Sequence, residues 1–272
     1  MVISMGERED AIEDLEGSGF LGAVRWAWDA TRQQSLQAYD PDTGHTPGWL
    51  GTNTYTILMD RLDRVFSCNK YAVEAGSSPD VGADLLAVGL TQQESQLMPS
   101  LDPFLVVYDD VNQSPGWRQG QWRMLLQSFN GHDIDRIPWR QKSPTKQRVA
   151  RQPNPNQLAL PDPEFFEAAD VLADVLEPLK DGELPVSTLV GAHMLDGLTG
   201  KSAFYLGRPQ LASGRNSEAW RWKELLTSTN GDEFGFREGM PTPTPSEGPT
   251  TRPVEDAPVR MKRLPGAPGY GK

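Results

Sequence analysis

This 272-residue chain has one cysteine, three histidines and no apolar run that could span a bilayer. Cys68 cannot form an intrachain disulfide, so the fold has no covalent framework, and the composition suits a reducing compartment. It follows Val65 and Phe66 on an apolar stretch, where a thiol reads as packing material and not as a nucleophile. A bilayer span needs roughly 18–20 consecutive apolar residues. None is present, and the amino terminus MVISMGERED lacks the basic-then-apolar order of a signal peptide. These absences set the expectation of a soluble, cytoplasmic protein with no membrane partner.

Positive charge is also scarce overall, and the formal net charge of -11 argues against a chain that coats polyanions indiscriminately. The sign is unevenly spread. Residues 7–16 hold six acids and one base, whereas Arg136 to Arg151 hold six bases and no acid. Local capture of an anion is therefore compatible with the acidic whole.

Hydrophobic periodicity supplies the elements. Residues 1–17 read as an acidic, flexible lead-in that ends at a Gly-Ser-Gly break. Phe20, Val24, Trp28, Leu36 and Tyr39 are spaced for a core helix, with Trp26 off the stripe, facing a partner or a second core layer. After an Asp-Pro-Asp-Thr-Gly turn and the loop histidine His45, Thr52 or Asn53 is placed to cap a helix whose stripe is Tyr55, Leu58, Leu62, Val65 and Phe66. Asp60 and Arg64 are spaced to pair on its other face, which reads as solvated or salt-bridged. Tyr71 to Val73 suggests a short strand.

Phe104-Leu-Val-Val-Tyr108 predicts a strand covered on both faces. Asp109 and Asp110 then stand at its carboxyl end, where paired carboxylates have the oxygen-ligand chemistry for Mg²⁺. Ser114-Pro115 has the form of a helix cap and first turn, followed by Trp122, Leu125, Leu126 and Phe129 at helical spacing. That helix would display Arg118 and Arg123 and could seat a metal-bridged phosphate near its amino end. His132-Asp133 follows Asn130-Gly131 and reads as a helix-ending loop. The basic run contributes Arg136, Trp139, Arg140, Lys142, Lys146, Arg148 and Arg151, a mixture that can neutralise phosphates while the indole stacks on a base.

Further along, Asp162-Pro163 opens an amphipathic helix reaching Lys180. Val186 to Val190 and Ala203 to Leu206 read as strands. The residues between them end in Gly200-Lys201-Ser202 and so resemble a Walker A loop. Leu195 occupies the first glycine position and strand follows instead of helix, so the segment reads as a hairpin connection. Asn216 or Ser217 can cap a short helix carrying Trp220, Trp222, Leu225 and Leu226. From Arg237 the chain is rich in proline, glycine and threonine, a composition that cannot build a core.

The expected fold is mixed α/β or α+β, with amphipathic helices on a small sheet in one domain at 18–236 and a disordered tail at 237–272. Three functions compete. The first is binding of a phosphate-bearing partner, nucleic acid foremost, by the basic run with Arg118. The second is metal-dependent phosphoryl transfer or hydrolysis at Asp109 and Asp110. The third is an accessory subunit that engages a protein partner through exposed Trp26, Trp117 or Trp220 and the tail.

Overall fold

The computed structural model describes residues 6–73, 83–129, 133–152, 186–211 and 218–230, all within a compact unit that ends at Phe234. Helix α1 (Glu7–Gly17) occupies most of the acidic lead-in and buries Ala11 and Leu15. After Gly19, whose positive φ a side chain would strain, α2 (Phe20–Ala38) buries Phe20, Leu21, Val24, Ala27 and Trp28. Trp26 is buried too, its Nε1 donating to the Glu94 carbonyl at 3.0 Å.

Helix α3 (Pro47–Val65) starts earlier than its stripe implies. Thr46 is the cap, accepting from the Trp49 amide, and Pro47 fills the first turn. Its far end closes in a Schellman turn. Ser67 N donates to Arg64 O, Cys68 N donates to Asp63 O, and Ser67 takes φ 52° where glycine is usual. Asn69–Tyr71 is then a turn of 3₁₀ helix and not a strand. Short helices α4 (Ala83–Ala87) and α5 (Gln92–Leu97) follow, the latter held by a Thr91/Glu94 capping box.

The pair Asp60–Arg64 forms at 2.8 Å but is not on a solvated face. Arg61 and Arg64 are both buried, and Asp60 also takes Arg61, Lys70 and the Tyr71 hydroxyl. Burial alone would raise the Asp60 pKa. The hydrogen bonds from Arg64, Tyr71 and Lys70 outweigh it and hold the carboxyl well below its ordinary range.

The largest departure from the sequence reading lies between residues 104 and 129. Only Val107–Tyr108 forms a strand, β1, at one edge of the sheet, and Phe104 is 58% and Val107 52% exposed, so the run is not covered on both faces. The expected Ser114 helix is instead a hairpin of β2 (Gly116–Gln119) and β3 (Trp122–Ser128), turning through Gly120 at φ 57°. Trp122, Met124 and Leu126 point to the α2–α3 face and Leu125 to the opposite one. A strand covered on both faces has apolar residues in succession, and Trp122, Leu125, Leu126 and Phe129 then fall by coincidence on helical spacing. Gly116 has no room for a side chain: a Cβ there would lie 2.8 Å from both the Asp109 carbonyl and the Leu125 side chain.

Strands β4 (Ser187–Leu195) and β5 (Ser202–Pro209) extend the two expected strands and are joined by a turn at Asp196–Gly200. The expected Trp220 helix is a strand, β6 (Trp220–Thr229). The sheet runs β1-β2-β3-β4-β5-β6, antiparallel throughout except for the parallel pair β3–β4. The fold is therefore mixed α/β, with helices packed on a six-stranded sheet.

One core lies between the sheet and α1–α3, built on Trp28, Leu58, Phe66, Trp122, Met124, Leu189 and Phe204. A second covers the other face, where Ile137, Trp139, Val149 and Ala150 lie over Leu125, Val190, Ala192 and Trp220. The helix expected at 162–180, the proposed cap at Asn216 or Ser217, His132 and the tail from Arg237 lie outside the described residues.

Candidate anion-binding site

The segment that carries the second core is the basic run itself. Turns of 3₁₀ helix at Ile134–Arg136 and Trp139–Gln141 lead into helix α6 (Pro144–Val149), capped by Ser143 with Pro144 in its first turn. Their apolar residues face the sheet, so their charged ones are turned outward or along its surface.

Trp139 is not available for stacking on a base. It is 2% exposed, lies edge-on to Trp220 and donates its Nε1 proton to the Ala219 carbonyl at 2.6 Å. Trp117 and Trp220 are likewise buried, bonded to Asp63 and to the Ile134 carbonyl. With Trp26, every indole assigned to an exposed partner surface is therefore an interior residue whose N–H the fold satisfies.

The carboxylate pair is divided. Asp109 is half-buried and accepts from Arg123 at 2.6 Å, with Arg118 at 3.6 Å on the same oxygen; Asp110 is exposed. Arg118 and Arg123 are register partners across β2–β3, and one carboxylate between two guanidinium groups is the arrangement such neighbours require. Asp109 thus acts as a counter-ion. Among the described residues no group of three His, Cys, Asp or Glu side chains is placed to hold a metal ion.

Arg136 is fully outside and paired with Asp133 at 2.8 Å, and Arg140 is exposed on the following turn. The remaining four bases differ. Lys142, Lys146, Arg148 and Arg151 have no carboxylate partner among the described residues. No family model, curated protein or solved structure matches this chain. The chemistry of these side chains is therefore the basis for any functional reading.

Lys146 is the most constrained of the four. It is half-buried and its Nζ donates to Gln127 Oε1 at 2.9 Å. The Gln127 amide is oriented by its own Nε2, which donates to the Ser128 carbonyl. Burial, reinforced by the Lys142 charge, lowers the Lys146 amine to about 8. Behind it His193 is fully buried against Trp28 and Phe204 with Nε2 unbonded, and burial with the Lys146 charge pushes it down to about 3.

These groups sit near the carboxyl end of β3 and β4, the parallel pair, beside which Thr145 Oγ1 reaches the Val111 carbonyl at 3.4 Å. This contact sets the start of α6 beside the 109–111 loop. A cavity of about 270 Å³ lies elsewhere, between α2 and α5, lined by Trp26, Asp29, Gln33, Gln93, Glu94 and Leu97. No helix among the described residues is long and apolar enough to cross a membrane. Gln127 and His193 went unnoticed in the sequence, because their importance comes from the register Gln127↔Ala192 and Ser128↔His193, which no local pattern encodes.

Proposed function

We propose that the chain binds a phosphate-bearing partner, nucleic acid foremost, through Lys142, Lys146, Arg148 and Arg151. One observation supports this most: these four cations lie close together along a short segment anchored on the sheet, without carboxylates among the described residues, in a chain of net charge -11. Several other bases are paired, as Arg123 is with Asp109 and Arg64 with Asp60. Four nearby cations without a carboxylate partner among the described residues have an electrostatic need that a polyanion meets. Because Trp139 is interior, the partner is gripped by its phosphates and not by base stacking, so sequence preference is weak.

The test is fluorescence polarisation with a labelled single-stranded oligonucleotide. Neutralising about four phosphates gives a slope near -3 in log affinity against log salt, and so a loss of about 50-fold between about 50 and 200 mM salt. Lys142→Gln, Arg148→Gln and Arg151→Gln should each lower that slope, while Arg136→Gln, at a base already paired, leaves it nearly unchanged. Salt-independent binding, or triple-variant binding equal to that of the native chain, refutes the proposal.

A further inference from the structure

We propose that the cleft between α2 and α5 binds a short, uncharged oligosaccharide. The cavity of about 270 Å³ between these helices continues into a recess of about 510 Å³, with Gln33 and Gln93 lining both. Together they have the size of a small-ligand site, roughly 300–1,000 Å³. Trp26, Ala30, Gln33 and Gln37 are spaced to share one face of α2, and that face forms one wall. Gln92, Gln93 and Gln96 of α5 form the other. The cleft lies on the α2 side of the sheet, and the basic run covers the opposite face.

Both walls are fixed before any ligand arrives. Trp26 Nε1 donates to the Glu94 carbonyl at 3.0 Å and ties α2 to α5. Glu94 is committed at both carboxylate oxygens, one to Arg61 at 3.2 Å and the other to the Thr91 amide at 2.7 Å. Arg61 also donates to Gln34 at 2.6 Å, which joins α3 to the same frame. A preorganised site loses little conformational entropy on binding. The five glutamines stand apart from this network: none has a side-chain hydrogen bond to another described residue.

Their chemistry selects the ligand. A primary amide carries two donors and an acceptor in one plane, and a sugar hydroxyl donates and accepts at once, so one amide can pair with hydroxyls on adjacent carbons. A carboxylate only accepts and an ammonium only donates. No lysine or arginine among the described residues lines the cleft, which leaves an anion without a counter-charge there. An extended peptide is held along a strand edge, and the two walls, being helices, offer none. Trp26 and Leu97, the latter 64% exposed, supply apolar surface for the C–H face of a sugar ring.

This site does not depend on the phosphate-binding reading. The test is saturation-transfer NMR on the full chain with maltotriose, cellotriose and triacetylchitotriose, each followed by titration. We expect at least one trisaccharide to bind with a Kd of about 1 mM or tighter, unchanged between about 50 and 500 mM salt. Gln33→Ala and Gln93→Ala should each weaken binding about fivefold, and together by at least about tenfold. Gln96→Ala, at an exposed position, provides the same test should that pair alter the melting temperature. Gln141→Ala, an exposed glutamine on the basic run, should leave saccharide binding unchanged. Absence of binding by all three sugars at about 5 mM, native affinity in the glutamine variants, or tighter binding of an uncharged Gly-Ser peptide at the same glutamines overturns the inference.

Discussion

Replacing Glu7 with Gln should be among the most damaging conservative changes in the protein, because it removes one charge from a pair that the fold has sealed. Glu7 stands in the first turn of α1 and Arg208 near the end of β5, and Glu7 Oε1 meets Arg208 Nη1 at 2.5 Å with side chains 5% and 3% exposed. Ser187 Oγ donates to the same Glu7 oxygen at 3.2 Å and Trp222 Nε1 to the other at 3.3 Å. Burial lowers the Arg208 pKa while Glu7 raises it, so the guanidinium depends on this carboxylate to stay charged at low cost.

Glutamine keeps the volume and some hydrogen bonds but removes the carboxylate charge that the buried Arg208 faces in this pair, a loss of about 3–5 kcal/mol. For a domain of this size each kcal/mol moves Tm by about 2–4 °C, so a fall of roughly 6–20 °C is expected. Urea unfolding followed by tryptophan fluorescence measures it, and the single variants Glu7→Leu and Arg208→Met with their double variant form a cycle. The double variant should recover most of the stability either single change loses, because an apolar pair needs no desolvation of charge. The half-exposed pair Arg8–Glu224 at 2.6 Å is the control, and Glu224→Gln should cost less than about 1 kcal/mol. The reasoning fails if Glu7→Gln lies within about 0.5 kcal/mol of the native protein, or if the two single losses simply add in the double variant.

Three further outcomes are expected. Ser67→Gly relieves a left-handed residue at the end of α3 and should raise stability by about 0.5–1 kcal/mol in the same urea experiment; a decrease would show that the Ser67 side chain contributes more than its backbone costs. His193 is held down to about 3 against an ordinary 6.5, so the unfolded chain takes up a proton that the native one refuses. The contribution is complete above pH 6.5 and is lost as pH falls toward about 3, and His193→Leu should flatten the stability slope between about pH 6.5 and 5 by close to one proton. Asp63, raised by its burial, works in the opposite sense, gaining relative stability as pH falls, so an unchanged slope in His193→Leu assigns the acid sensitivity elsewhere. Gly207→Ala would bring a Cβ to 2.6 Å from the Trp222 carbonyl and 2.9 Å from the Trp220 ring, and thermal melts should show a loss of about 1–3 kcal/mol.

Helices with one apolar stripe and one polar face were legible in the sequence: α2 and α3 lie where Val24, Trp28, Leu58 and Leu62 place them. Strands with two covered faces were not. In β3 the apolar side chains divide between two cores, and in β6 Trp220 and Trp222 join different ones; a window that assumes a single apolar face turns that pattern into a helix. Ser114-Pro115 added to the error, since proline just before an element suits the start of a strand as well as the first turn of a helix. At the candidate site, Lys142, Lys146, Arg148 and Arg151 were visible as charge. Which bases are already paired was not, because the partnership of Asp109 with Arg118 and Arg123 arises only when β1, β2 and β3 are side by side. The burial of Trp139 was hidden for the same reason: a lone indole in a polar run carries no local sign of the sheet beneath it.

The parallel pair β3–β4 also divides the sheet in time. β1-β2-β3 is a meander of neighbours, and so is β4-β5-β6, each needing only short connections to assemble. Between them the chain must travel from residue 129 to residue 186 before Met124 can lie beside Leu189. Closing a loop of that length costs on the order of 3–4 kcal/mol in chain entropy, with no hydrogen bond gained until the seam zips. The two meanders can therefore form separately. The basic run belongs to the crossover that unites them, and its apolar side, Trp139, Val149 and Ala150, fastens β3 to β4 and to Trp220 at the start of β6. The segment that presents Lys142, Lys146, Arg148 and Arg151 is thus also the strap that holds the two halves of the sheet together.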